Sequence, residues 1–132
     1  MMKKLLGLFF VALFMSACGT MSQNSTLSGE VYYNDRSALP MGATLTVTLM
    51  DESDNRDVST ALSHASYEIK HQVPLPFVLS YDSTKLRAGN TYVLDAKIEY
   101  QGKLLYATRE RAKVNLDGGS KTGIRVEVVK VY

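Results

Sequence analysis

Thr44-Leu45-Thr46-Val47-Thr48-Leu49 sets three β-branched threonines against three apolar side chains, so Leu45, Val47 and Leu49 point one way and the threonines the other. A period of two over six residues specifies a strand with one face in a core and one in water. Working outward, similar runs occur at 27–33, 77–81, 91–100, 104–108 and 124–132, with weaker ones at 58–69 and 112–116. No stretch keeps apolar residues at helical spacing over three turns, which excludes a helical bundle. Seven to eight short strands within residues 27–132 predict an all-β fold, a two-sheet antiparallel β-sandwich, because one small sheet could not bury its own apolar face. A small barrel is the alternative.

The punctuation agrees with this reading. Pro40 sits in the loop after the first strand, and Pro74 and Pro76, which cannot donate to a ladder, are expected to precede a strand starting at Phe77. Asp82 is placed to cap a single helical turn over 83–88, stopped by Gly89, with Leu86 as its apolar foot. At Tyr100-Gln101-Gly102 two hairpin registers compete. A two-residue loop pairs Ile98 with Leu105 and turns Leu104 and Tyr106 to solvent. A three-residue loop with Gly102 left-handed pairs Ile98 with Leu104 and Ala96 with Tyr106, and joins Glu99 to Lys103. The second is expected, because it buries the apolar set.

The N-terminus carries an address. Lys3 and Lys4 precede the apolar run Leu5 to Phe14, and small residues follow before Cys18. The thirteen residues from Leu5 to Ala17 are too few to span a bilayer, which takes about 18 or more. Met15-Ser16-Ala17-Cys18 resembles the bacterial lipobox, whose cysteine is acylated after cleavage before it. Residues 1–17 therefore read as a cleaved signal peptide, 18–26 as the lipidated Cys18 and a flexible tether, and 27–132 as the β domain. Two or three acyl chains make anchoring effectively permanent. In Gram-negative lipoproteins an aspartate after the cysteine favours the inner membrane; Gly19 stands here, so the outer membrane, facing the periplasm, is expected.

The 132-residue chain carries 15 basic and 13 acidic side chains. The surplus is Lys3 and Lys4, so the mature domain is neutral, which argues against nucleic acid. One cysteine and two histidines rule out an internal disulfide and a multi-thiolate or histidine-rich metal site. Asp51, Ser53, Asn55 and Asp57 alternate like the donors of a calcium loop. Arg56 occupies the place of the turn glycine, however, and Leu62 that of the closing glutamate, leaving a solvated hairpin loop. His64 and His71 would face opposite ways on one strand. No G-x-S-x-G motif occurs, and Gly118-Gly119 precedes a strand, not a phosphate-binding helix. Arg109, Arg111 and Lys113 form a basic stripe, read as a solvated face balanced by Glu110 and neighbouring acids.

Two strings then carry a resemblance: Ala38-Leu39-Pro40-Met41-Gly42-Ala43, and Val73-Pro74-Leu75-Pro76-Phe77-x-Leu79-x-Tyr81-Asp82. With Leu45-x-Val47-x-Leu49-x-Asp51-x-Ser53, Tyr92-x-Leu94-x-Ala96-x-Ile98 and Gly102-x-Leu104-Leu105, the chain resembles the YbaY-like lipoproteins grouped with the YscW type III secretion pilotins. The match runs from Ser37 to Leu105; Met41 stands where the family usually has a second proline. The resemblance implies an outer-membrane lipoprotein with a β-sandwich and no catalytic residues. Named members are pilotins, which bind the end of a secretin subunit and carry it to the outer membrane.

The expectation is a non-enzymatic, periplasm-facing lipoprotein with no metal or cofactor, binding an envelope protein such as a secretin subunit through a sheet edge or groove. The alternative is a small-ligand-binding or enzyme-inhibitor module working through loops such as 51–57.

Overall fold

The computed structural model describes residues 24–52, 60–116 and 121–131. Eight strands follow one another: β1 (Asn24–Tyr32), β2 (Thr44–Asp51), β3 (Thr60–Glu68), β4 (Leu75–Asp82), β5 (Tyr92–Tyr100), β6 (Lys103–Thr108), β7 (Ala112–Val114) and β8 (Ile124–Lys130). β1 starts three residues before the strand expected at Leu27, and so takes in the last residues assigned to the tether.

The all-β expectation holds, but the two-sheet antiparallel sandwich is corrected to one barrel-like sheet in the order β3-β2-β5-β6-β8-β1-β4, with β7 beside β5. The reason lies in β8, which divides its pairing. Val128 to Lys130 run antiparallel to β6, while Ile124 to Glu127 run parallel to β1. One strand thus belongs to both halves of the sheet, where a sandwich would have left two edges. The parallel pair needs a close approach. A Cβ on Gly29 would lie 1.8 Å from the Ile124 carbonyl oxygen, so only glycine fits there.

The interior is filled from every strand side. Leu45, Val47 and Leu49 of β2 are buried while their threonines stay partly exposed. Leu75, Phe77, Leu79 and Tyr81 of β4 alternate with exposed Pro76, Val78 and Ser80. Leu94, Ala96 and Ile98 of β5 and Val126 and Val128 of β8 complete the core. Each large side chain fully buried here contributes about 1.5–3 kcal/mol.

At the β5–β6 hairpin the structure takes a third course. Gln101 and Gly102 both have positive φ, of 51° and 80°, so the turn is the two-residue one and Tyr100 faces Lys103. The preferred three-residue loop is therefore corrected. Leu105 is then bulged out of register, which brings Tyr106 opposite Ile98 and into the core. The bulge reconciles a tight turn with burial of Tyr106, the requirement that had argued for the longer loop. The turn after β4 is short: Asp82 caps a 3₁₀ turn, Ser83–Lys85, accepting from the Thr84 N–H at 3.0 Å, and Leu86 packs against the core.

One barrel end is closed by the segment between β1 and β2. Tyr33 stacks on Tyr106 with ring centroids 4.2 Å apart. The Tyr33 hydroxyl donates to the Ser37 carbonyl at 2.6 Å, and the Tyr106 hydroxyl lies 3.2 Å from both Asp35 oxygens. Burial pushes the Tyr106 phenol well above its ordinary range, so it stays protonated and donates. The Ser37 backbone N–H, donating at 2.7 Å, holds the Asp35 carboxyl below its ordinary value of 3.8. Farther along, Gln72 clamps both backbone groups of Leu39, at 2.6 and 3.1 Å.

Two outcomes test this architecture. Gly29→Ala should cost at least about 3 kcal/mol by urea unfolding, because backbone must move, whereas Gly42→Ala, strained only by its φ, should cost about 1 kcal/mol. The Asp35 contribution is present above its unfolded-state pKa and is lost as pH falls through its lowered folded-state value. Asp35→Asn should therefore be less stable than the wild type at neutral pH, and the gap should narrow in melts taken progressively below the ordinary value of 3.8.

Candidate functional site

Neighbouring strands along the sheet are joined by backbone ladders, but β3 and β4, the two ends of the path, form no ladder among the described residues; side chains bridge them instead. The sequence of β3 explains how they meet. The residues opposite Leu45, Val47 and Leu49 of β2 are Tyr67, Ala65 and Ser63. Two of these three inward positions are small, which lets β3 lean towards β4. The Tyr67 hydroxyl accepts from the Val78 N–H at 3.0 Å and donates to the Val78 carbonyl at 2.7 Å. The Ser63 hydroxyl donates to the Ser80 carbonyl. These contacts show that alternate residues of β4 turn their backbone groups towards the seam.

Pro76 shares that phase. The expectation that Pro76 precedes the strand is corrected: it lies within β4, paired with Glu30 of β1, on the side where a missing N–H removes no ladder bond. It also removes a donor from the seam, so a ladder between β3 and β4 would be interrupted there.

The seam opens at one end into an apolar groove of about 210 Å³, walled by Leu45, Tyr67, Ile69, Leu75 and Pro76. Lys70 and His71 stand at its mouth with Glu68. On the outer surface Val78 is 57% exposed. Beside it, Pro76, Val78 and the bare Gly29 line a shallow hollow of about 500 Å³ that reaches Arg125. Two concave surfaces thus meet along β4.

The residues singled out in sequence fall elsewhere. Cys18, with the signal peptide, lies outside the described residues, as do residues 53–57 of the acidic loop and the Gly118-Gly119 turn. Within the described part of that loop, Asp51 accepts from Asn90 Nδ2 at 2.8 Å and Glu52 from Arg111 at 2.9 Å. Arg109, Arg111 and Lys113 share one hollow of about 750 Å³ with Glu52, Asp95 and Glu110. Arg111 is also 3.8 Å from Asp95. The stripe is thus a mixed-charge surface. His64 is exposed on β3, and His71 lies in the following loop with Nδ1 2.8 Å from the Gln72 carbonyl. Among the described residues no cluster of three or more His, Cys, Asp or Glu side chains could hold a metal.

Sequence reasoning missed Tyr67 and Val78. Two signals were available: the small residues in Ser63-x-Ala65-x-Tyr67, and a proline inside an alternating strand, which marks an edge.

Comparison with known proteins gives the frame. The family described as type III secretion system lipoprotein chaperone (YscW) matches residues 22–128. The uncharacterized lipoprotein YbaY of Escherichia coli (strain K12) is 31% identical over 109 residues, covering 82% of this chain and 57% of that protein. The chain therefore spans little more than half the length of that relative. An alternative pilotin from the type II secretion system of Vibrio cholerae, whose structure is solved, superposes with a TM-score of 0.73 at 33% identity, over 83% of this chain and all of that one.

If Tyr67 alone satisfies the Val78 backbone across the seam, Tyr67→Phe should accelerate amide exchange at Val78 and leave Phe77 and Leu79, which face β1, protected. The stability cost should be about 1 kcal/mol, read by urea unfolding.

Proposed function

The chain belongs to the family of type III secretion system lipoprotein chaperones (YscW), and from that premise we propose that it is a non-enzymatic lipoprotein acting as a pilotin. In this reading it holds an envelope protein, a secretin subunit or one like it, at the outer membrane. One observation carries the reading: the fold of a solved alternative pilotin is matched over that protein's whole length at 33% identity. The groove at the end of the β3–β4 seam is a mainly apolar surface suited to a protein segment, whereas the polar hollow beside Arg111 is internally charge-balanced.

Cys18, acylated at its thiol and at the amine freed by cleavage, is the anchor in this proposal, and the domain faces the periplasm. Five residues separate Cys18 from β1, so the barrel would stay within about 20 Å of the lipidated residue. That short reach gives an acylated chaperone its use. A partner bound to the barrel is confined to the membrane surface, where its effective concentration for insertion is high. A neutral mature domain adds no strong field of its own to repel or attract the bilayer.

Crosslinking in cells tests the proposal, comparing the wild type with unlipidated Cys18→Ser. One outer-membrane protein should dominate the wild-type adducts and be depleted in the variant, with a secretin subunit the expected partner. A correctly lipidated wild type with no protein adduct above background would refute the chaperone reading.

A further inference from the structure

We propose that the apolar groove at the end of the β3–β4 seam, with Met41 on one rim and Val78 on the other, is the surface by which this chain reads its partner. A segment of the held protein seats a large apolar side chain between the rims and pairs a carboxylate with Lys70. The inference rests on the reading that this chain holds an envelope protein, and it names the surface and the chemistry of what is held.

Exposed apolar bulk is gathered at this place. Among the described residues three large apolar side chains stand out in water, Met41 at 53%, Val78 at 57% and Val131, and the first two flank the groove. Val78 lies two residues beyond Pro76, a groove wall, on the same outward phase of β4. On the other rim the Gly42 N–H donates to the carbonyl of Ile69, another wall, at 3.2 Å, and the Ile69 N–H donates to the Ala43 carbonyl at 2.8 Å. Met41 is thereby fixed beside the groove. The core makes no use of its side chain. Met41 is the first corner residue of a turn closed by the Ala43 N–H on the Pro40 carbonyl, with Gly42 at a φ of 92° as the second. Such a corner favours proline and asks nothing of a long side chain. An unbranched thioether held out there adapts its rotamers to an incoming apolar surface.

Charge then narrows the occupant. Glu68, Lys70 and His71 stand at the mouth. The Lys70 ammonium is exposed and makes no ion pair among the described residues, whereas Arg111 in the polar hollow is already taken by Glu52 and Asp95. His71 Nδ1 is turned to the Gln72 carbonyl of its own loop. Lys70 is therefore the cation left for an acid on the occupant, and Glu68 repels the same acid from the opposite orientation.

The place of the groove in the barrel favours a protein over the bilayer. Asn24 faces Asp82 at one end of the β1–β4 pair, and Val31 faces Leu75 at the other. That separation sets Leu75 about 23 Å along the strand from the end where the chain from Cys18 enters. The apolar rims thus lie at the end remote from the anchor, open to a partner arriving from the periplasm.

The test uses the purified mature chain carrying Cys18→Ser, labelled overlapping peptides tiling the secretin subunits encoded in the same genome, and phosphatidylglycerol vesicles. A tile should bind, read by fluorescence anisotropy. Met41→Ser and Lys70→Glu, at exposed positions that leave the core untouched, should each weaken that tile about tenfold, and Arg109→Glu in the polar hollow should leave it unchanged. Acidic residues of the tile are then changed to lysine one at a time. One exchange should restore binding to Lys70→Glu while weakening it to the wild type, as a direct pair requires. If no exchange restores binding, the carboxylate pair is overturned. A tile that binds wild type, Met41→Ser and Lys70→Glu alike overturns the surface and leaves the chaperone reading standing. Vesicle binding that is lost in Met41→Ser, with no tile bound, makes the bilayer the occupant and overturns the partner segment. Absence of binding to tiles and vesicles also overturns the surface, and the crosslinks in cells decide separately whether the chaperone reading falls.

Discussion

Parallel pairing of β1 with β8 is the constraint on which the barrel depends, because it brings the first and last strands of the fold side by side. The pairing demands that the Ile124 carbonyl approach Gly29 more closely than any side chain allows. From that contact the rest of the topology follows. β8 reaches on to β6, β1 carries β4 on its other side, and the β2-β3 hairpin is held through β5 at the opposite end of the path. The sheet then comes almost full circle with β3 and β4 facing each other. Their facing edges need partners but do not form a ladder.

How that last join is made matters more for function than how strong it is. The core supplies the stability: a buried Phe77 or Leu79 outweighs a bridging hydroxyl, whose net worth is about 1 kcal/mol. A barrel held by its core can leave one join to Tyr67 and Ser63. Edge strands are normally blunted against unwanted pairing, and here the blunting consists of Pro76 and a removable phenol. The Tyr33–Tyr106 stack and the Gln72 clamp on Leu39 hold the adjoining barrel end in place, so the groove is bordered by ordered backbone.

Much of the fold was legible because a strand with one buried face must alternate. Leu45, Val47 and Leu49, and the alternate residues Phe77, Leu79 and Tyr81, could be assigned to the core from pattern alone. The hairpin at Gln101-Gly102 was legible only as a conflict between a tight turn and a buried Tyr106. A one-residue bulge at Leu105 resolves that conflict, and local pattern does not announce bulges. The candidate site was harder to see. Ser63 and Ala65 read as a weak strand, and Pro76 as a boundary, because their meaning depends on which strand lies across from them.

By itself the sequence determined that residues from 27 onward form strands, which side chains face inward, and, through the ALPxGA and PxPFxLxYD strings, the family that the comparison shows. These are local properties of period, turn chemistry and motif. Only the tertiary structure decided that the strands make one barrel-like sheet and not two, that β1 and β8 run parallel, and that Tyr67 meets Val78. Those are choices among long-range pairings. Strands of the same period are compatible with several orders, and the order is settled by packing, by the room that Gly29 leaves, and by which backbone groups remain without a strand beside them.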